Sequence, residues 1–409
     1  MLRATLSRFR RSRADEFVSR SRSAVFEDVT IAPYEELLDA PRGKSNHKGG
    51  PLWPDWDAQV FPRHCHMGIP ADTRPSTTQP SGVPIDEIAW GGAIVGHFGH
   101  QVADFSARLL ATGRERSDLP IAFAARAGTA WTSVEEAPAF VGAILDWYHI
   151  EPHRRVLISE PTTALSLFVA EQAEQLGGPG PNEGHLDALD ELTVRNLQGQ
   201  PTSHDGVVYV SRAAMHARFA GEAYLESRLE AAGVRVMRPE SMPLAEQIRT
   251  YQSAPVLVFA EGSALHTLQL SGRIEGSVVV LVRRNGATLG KWSLQPRTRD
   301  LRYVEVSDGI VCGLLPTGAP AEMTGISLLS VEATIMAFGD LGVDIGAGWN
   351  TQAFAQSTES DIRAWLADEP KRPEGAAERT SEIVRRLEGH GLETLARAAP
   401  GILSSPRRS

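Results

Sequence analysis

Residues 206–260 read GVVYVSRAAMHARFAGEAYLESRLEAAGVRVMRPESMPLAEQIRTYQSAPVLVFA. The apolar run 207–210 is too short for a helix and reads as a buried strand. A helix follows over 218–232, with Leu225, Leu229 and Ala232 on its inward stripe, and Gly233 closes it in the usual C-terminal manner. Residues 234–237 form the next strand. Ser241 then caps a second helix that runs to Ser253, with Pro243 in its first turn. The run 255–260 is a third strand. Gly262 and Ser263 open a third helix to about Leu270, and 277–283 (SVVVLVR) is a fourth strand. Short apolar strands alternating with helices predict a parallel, doubly wound α/β sheet.

Upstream, Phe98, Val102, Phe105 and Leu109 mark the buried face of a helix. Strands at 120–125 and 155–159 and a helix at 137–148 predict another α/β unit. Short strands at 23–31 and 59–61 precede it, with loops at 46–50 and 71–84. The Gly/Pro-rich stretch 175–204 reads as a linker. Downstream, strands are expected at 301–306 and 310–315, a helix or strand at 328–338, and helices at 357–367 and 378–398. The expected organisation is a basic arm at 1–24, an N-terminal α/β lobe at 25–195, a second lobe at 206–345, and C-terminal helices with a tail at 346–409.

The chain has 409 residues, enough for two cores. A net charge of -9 argues against a nucleic-acid partner, which needs a basic surface. Two cysteines, Cys65 and Cys312, cannot build a disulfide framework, and a reducing cytoplasm is the expected compartment. No apolar run approaches the roughly 18 residues of a spanning helix. The arm at 1–24 is rich in arginine. It reads either as a solvated tail or as peripheral contact with the inner face of an anionic membrane.

Ligands of parallel sheets sit beyond the carboxyl ends of the strands. Ser211 and Arg212 end the first strand of this lobe, and Arg218 opens the expected helix. Both guanidiniums are candidates to grip a diphosphate. Glu261, Gly262 and Ser263 end the third strand. Their backbone N–H groups at a helix start offer a second anion site, Glu261 can accept from sugar hydroxyls, and His266 lies one turn on. In the first lobe His100, Asp104 and Arg108 stand at i, i+4 and i+8, with Asp104 placed to orient His100 as a general base. The bland readings are an Arg218–Glu222 surface pair and a solvated His–Asp–Arg ladder. His64-Cys65-His66 puts two imidazoles on one strand face, but no third and fourth ligands follow at recognisable spacing, so no metal is expected. No G-x-G-x-x-G or Walker lysine motif is present, which weighs against a dinucleotide oxidoreductase.

These residues resemble glycosyltransferase family 61, which includes capsular-polysaccharide-type bacterial transferases. His100, Asp104 and Arg108 keep the spacing of the family's His, acid and Arg, with Asp for the usual Glu. Ser211-Arg212, Arg218 and Glu222 are similar to its second block, with Gly221 in place of an Asn. Glu246-Gln247-Ile248, Ala254 and 261–265 are similar to the third, with Glu261 in place of a His. The resemblance covers roughly 88–270. It implies a GT-B-like architecture, two Rossmann-like lobes facing a central cleft. It also implies an inverting, metal-independent transfer from a nucleotide-sugar donor to a glycan or lipid-linked acceptor, with no cofactor. On that reading His100, Asp104 and Glu261 are catalytic. Arg108, Ser211, Arg212, Arg218, Glu222, Gly262, Ser263 and His266 bind substrate. The alternative is a catalytically inactive nucleotide- or glycan-binding protein on the same fold.

Overall fold

A computed structural model describes residues 22–36, 47–76, 79–198, 206–369 and 375–405. The basic arm lies almost wholly outside the described residues, as do 199–205 of the expected linker. No helix among the described residues is long and apolar enough to cross a membrane.

The first unit holds β1 (Ser23–Glu36), β2 (His47–Pro51), β3 (Cys65–His66), β4 (Ile69–Pro70), β5 (Asp72–Thr73), β6 (Ile85–Ala93), β7 (Ile121–Ala124), β8 (Arg155–Ile158) and β9 (Thr162–Ala170). Seven of these form one sheet in the order β5-β2-β1-β9-β6-β7-β8, and β3 and β4 form a small hairpin. The sheet is mixed: β6, β7 and β8 run parallel, while β9 is parallel to β6 and antiparallel to β1. Two expectations fail here. The loop at 46–50 is largely β2, whose glycines are poor strand formers on their own but pair with β1. The strand at 59–61 is instead an isolated bridge between Val60 and Pro62, where proline has no N–H to extend a ladder.

The second unit follows its sequence pattern closely. It contains β10 (Val207–Val210), β11 (Phe219–Ala220), β12 (Arg235–Met237), β13 (Val256–Ala260), β14 (Ile274–Val282) and β15 (Thr298–Glu305). Five of them make an all-parallel sheet in the order β12-β10-β13-β14-β15. Side chains alternate across it as a sheet buried on both faces requires. Tyr209, Val258 and Val279 pack with Leu225 and Leu229 on one side. Val208, Leu257 and Val278 pack with Tyr251 and Leu265 on the other.

The helix expected at 218–232 spans only Glu222–Ala231, because Phe219–Ala220 are captured as β11 by a separate sheet. That sheet has the order β11-β17-β16, with β16 (Ser307–Val311) and β17 (Ile326–Leu329). It packs on C-terminal helices Thr351–Asp368, Ala376–Gly389 and Glu393–Ser404 around Trp365, Ile383 and Leu387. Gly221 sits between strand and helix at φ 83°, the left-handed region that glycine and asparagine tolerate best. A side chain there would also collide with Phe354.

The units are joined by more than a linker. Asn182 caps a helix, Glu183–Asn196, by accepting from His185 N at 2.9 Å. Its Leu186 and Leu189 are fully buried. Leu244, Ile248 and Leu270 of the second unit share a core with Ile94, Val102 and Phe123 of the first. Trp147 Nε1 donates to Leu270 O at 2.7 Å. Arg297 donates to both oxygens of Glu174 at 2.7 and 2.8 Å, with both side chains almost wholly buried.

Candidate functional site at the strand ends

Within the parallel sheet the chain leaves β10 for β12 on one side, then returns to place β13 on the other. Between β10 and β13 the strand order therefore reverses, and open α/β sheets bind their ligands in the crevice beyond the carboxyl ends at such a switch point. Ser211 and Arg212 follow β10, Glu261 and Gly262 follow β13, and Arg283 and Arg284 follow β14. Arg212 Nε and Nη2 donate to Ala217 O at 3.1 and 2.8 Å. Nη1 lies over Gly262, where any Cβ would collide with the guanidinium. Nη1 has no protein acceptor among the described residues.

Two carboxylates organise these cations. Glu222 is fully buried and accepts from Tyr209 Oη at 2.8 Å, Ser211 Oγ at 3.2 Å and Arg212 N at 2.7 Å. Burial pushes its carboxyl above the usual range against the pull of those donors. Glu261 is 1% exposed and accepts from the backbone N–H groups of Arg283 and Arg284 at 2.8 and 3.0 Å. The Arg284 guanidinium also binds it, with Nε at 2.8 Å. Both Glu261 oxygens are thus occupied, so the expected free acceptor for sugar hydroxyls is a structural anchor instead. Arg283 is buried, and desolvation followed by the nearby Arg212 charge lowers its pKa to about 10. Arg283 donates through Nη1 to Gly325 O at 2.8 Å and Ser327 Oγ at 3.3 Å, so three arginines against two carboxylates give these strand ends a positive balance, with Arg212 the one packed on Gly262.

The first unit brings histidines to the same place. The expected single helix is broken into Phe98–His100, a π-helical turn Gln101–Phe105, and Leu109–Glu115. His100 Nδ1 lies 2.7 Å from Asp104 Oδ2, and the His100 side chain is 43% exposed. Burial alone would raise the Asp104 pKa, but His100 and His66 outweigh it and hold the carboxylate ionised. Burial, then the charges of His100, His266 and Arg212, lower the pKa of His97. Gly99 packs directly on His266 and Ser263. His266 is buried, with Nδ1 2.6 Å from Gln269 Oε1, and burial lowers its pKa.

The crevice therefore gathers His97, His100, Arg212, Gly262, Ser263 and His266, with Ser211, Glu222, Glu261 and Asp104 behind them. Two expected members are elsewhere. Arg218 faces the C-terminal helices, donating to Asp361 at 3.0 Å and to Met215 O at 2.9 Å. Its guanidinium is thus engaged by Asp361 and Met215 O rather than gathered with Arg212. Arg108 is 4% exposed and donates to Ala170 O at 3.1 Å, because the break in the helix rotates it away from the His100 face. The expected helix after Gly262 is also a 3-10 helix, Ser263–Leu270. Its first residue follows Gly262, against which the Arg212 guanidinium packs. Arg283, Arg284 and His97 were missed in the sequence, although a strand running directly into two arginines was a visible signal.

The third group lies beside Asp104. His64 Nε2 is 3.2 Å from His66 Nε2, which is 2.9 Å from Asp104 Oδ1. The sequence supplied the two imidazoles but not the partner, which comes from a distant helical turn. His64 and Asp104 also line a pocket with Trp53, Trp90, Phe105 and Arg108.

The chain is thus a mixed α/β protein with arginines at a parallel-sheet switch point and a His–Asp pair nearby. Residues 98–273, a little under half of the chain, match the family model described as Glycosyltransferase 61, which supports glycosyltransferase family 61 for this stretch. A search of curated proteins finds no match. The matched stretch contains His100, Asp104, Arg212, Glu222 and His266, while His97, Arg283 and Arg284 lie just outside it.

Proposed function

We propose that the chain is an inverting glycosyltransferase that moves a hexosyl or pentosyl group from a nucleotide-sugar donor to a hydroxyl of a glycan or lipid-linked acceptor, in surface-polysaccharide assembly. The observation that carries this reading is the approach of His100 and His97 in one unit to Arg212 and Gly262 in the other. That juxtaposition fits a GT-B-like arrangement, with the donor on the second lobe and the acceptor on the first.

The reaction is a single displacement. Nε2 of His100, whose Nδ1 is held by Asp104, takes the acceptor proton. The acceptor oxygen bonds to the anomeric carbon while the bond from that carbon to the phosphate oxygen breaks. The leaving diphosphate takes the electron pair beside Arg212, Arg283 and the N–H groups after Gly262. Guanidiniums already meet the developing charge, so this scheme requires no metal at the phosphates.

Screening nucleotide sugars for transfer and for slow donor hydrolysis tests the proposal. At least one donor is expected to release its nucleoside diphosphate with the protein present. Binding without any turnover favours the rival, a non-catalytic protein, to which the fully engaged Glu261 in place of a family His lends weight.

A further inference from the structure

We propose that His64, His66 and Asp104 bind one divalent transition-metal ion of the Zn2+ type, through the two Nε2 atoms and Asp104 Oδ1. The three ligand atoms lie within 4.8 Å of one another. Two of the separations, 3.2 Å between the imidazole nitrogens and 2.9 Å from His66 to the carboxylate, approach the spacing of neighbouring ligands around zinc. Metal–ligand bonds of about 2.0–2.2 Å at tetrahedral angles put such atoms roughly 3.3 Å apart.

Protons alone serve this arrangement poorly. His66 Nε2 faces His64 Nε2 and Asp104 Oδ1 at once, and one proton cannot lie on both lines. Asp104 Oδ1 is buried and has no hydrogen-bond partner, although a ring nitrogen is in contact distance. A cation at the common point attracts all three atoms. Two imidazoles and a carboxylate are ligands that such ions accept.

The surroundings support a built site. Gln172 Oε1 accepts from Cys65 N at 2.7 Å and fixes the strand that carries both histidines. His64 stacks on Phe105, with ring centroids 4.8 Å apart. Cys65 points the other way, with Sγ near Val60 O and Arg63 O, and is outside the ligand set. Asp104 uses its remaining oxygen, Oδ2, on His100. The ion would therefore stiffen the carboxylate that orients His100, as outer partners of metal ligands commonly do in reverse. His64 and His66 lie outside the family-matched stretch 98–273, and Asp104 lies within it.

The test uses the untagged full chain, stripped with a chelator and exchanged into metal-free buffer. Calorimetric titration with Zn2+ is expected to show one equivalent bound and a raised unfolding temperature. His64→Gln and His66→Gln are each expected to weaken binding more than about tenfold and to abolish the shift, with unfolding of the stripped proteins little changed. Zn2+ binding of equal strength in the variants, or none in the parent, overturns the proposal. Co2+ added to the parent decides independently of any variant's folding. Visible bands of a four-coordinate nitrogen/oxygen site are expected. A thiolate charge-transfer band, or no visible bands, overturns the assignment. Donor binding at the arginine crevice is read separately and does not depend on this result.

Discussion

Glu174→Ala is expected to lower folding stability by about 3–5 kcal/mol, measured by urea unfolding at neutral pH. Arg297 is fully buried, and Glu174 is its bidentate counter-ion. Arg297 also donates to Ser293 O, Leu268 O and Ser271 O at 2.8–3.1 Å. Removing the carboxylate leaves the guanidinium charge inside the junction between the units, where water cannot replace it. Replacing both members with methionine is expected to recover most of the loss, because the desolvation penalty disappears with the charges. A loss below about 1 kcal/mol for Glu174→Ala would show that the pair is hydrated in solution.

His100→Ala is expected to reduce transfer by about 10²–10⁴-fold while leaving donor affinity nearly unchanged. The expectation follows from position: His100 is exposed into the crevice, with Nδ1 on Asp104. The arginines of the proposed leaving-group site have partners of their own: Arg212 donates to Ala217 O, Arg283 to Gly325 O and Arg284 to Glu261. The measurement is turnover at saturating donor, together with a separate donor Kd. An unchanged rate removes His100 from the role of base. A parallel fall in donor affinity would instead place it in the donor site.

The second sheet was legible because its strands are buried on both faces and its turns are punctuated. The sequence around Val207–Val210, Gly233 and Val256–Ala260 admits few other readings. Phe219–Ala220 were not legible, since their capture by β17 depends on residues a hundred positions away. For the same reason Arg218 was placed in the crevice, whereas Asp361 on a C-terminal helix draws it off. The His100–Asp104 contact was visible as an i, i+4 pair, but the π-helical turn that rotates Arg108 away has no simple spacing signal. Asp104 as a neighbour of His64 and His66 is likewise a product of tertiary folding. The Gly221 position is one that structure explains: its left-handed backbone, at φ 83°, suits glycine.

Every functional step above depends on a diphosphate lodging where β10 and β13 part. The direct measurement is calorimetric titration of nucleoside diphosphates into the parent, Arg212→Ala and Gly262→Ala, each first shown to unfold normally. At least one diphosphate should bind the parent. Arg212→Ala should weaken it by roughly 10–100-fold, the worth of charge-assisted hydrogen bonds of about 1.5–3 kcal/mol. Gly262→Ala should do likewise by pushing the guanidinium aside. No binding by the parent, or equal binding by all three proteins, would contradict the account.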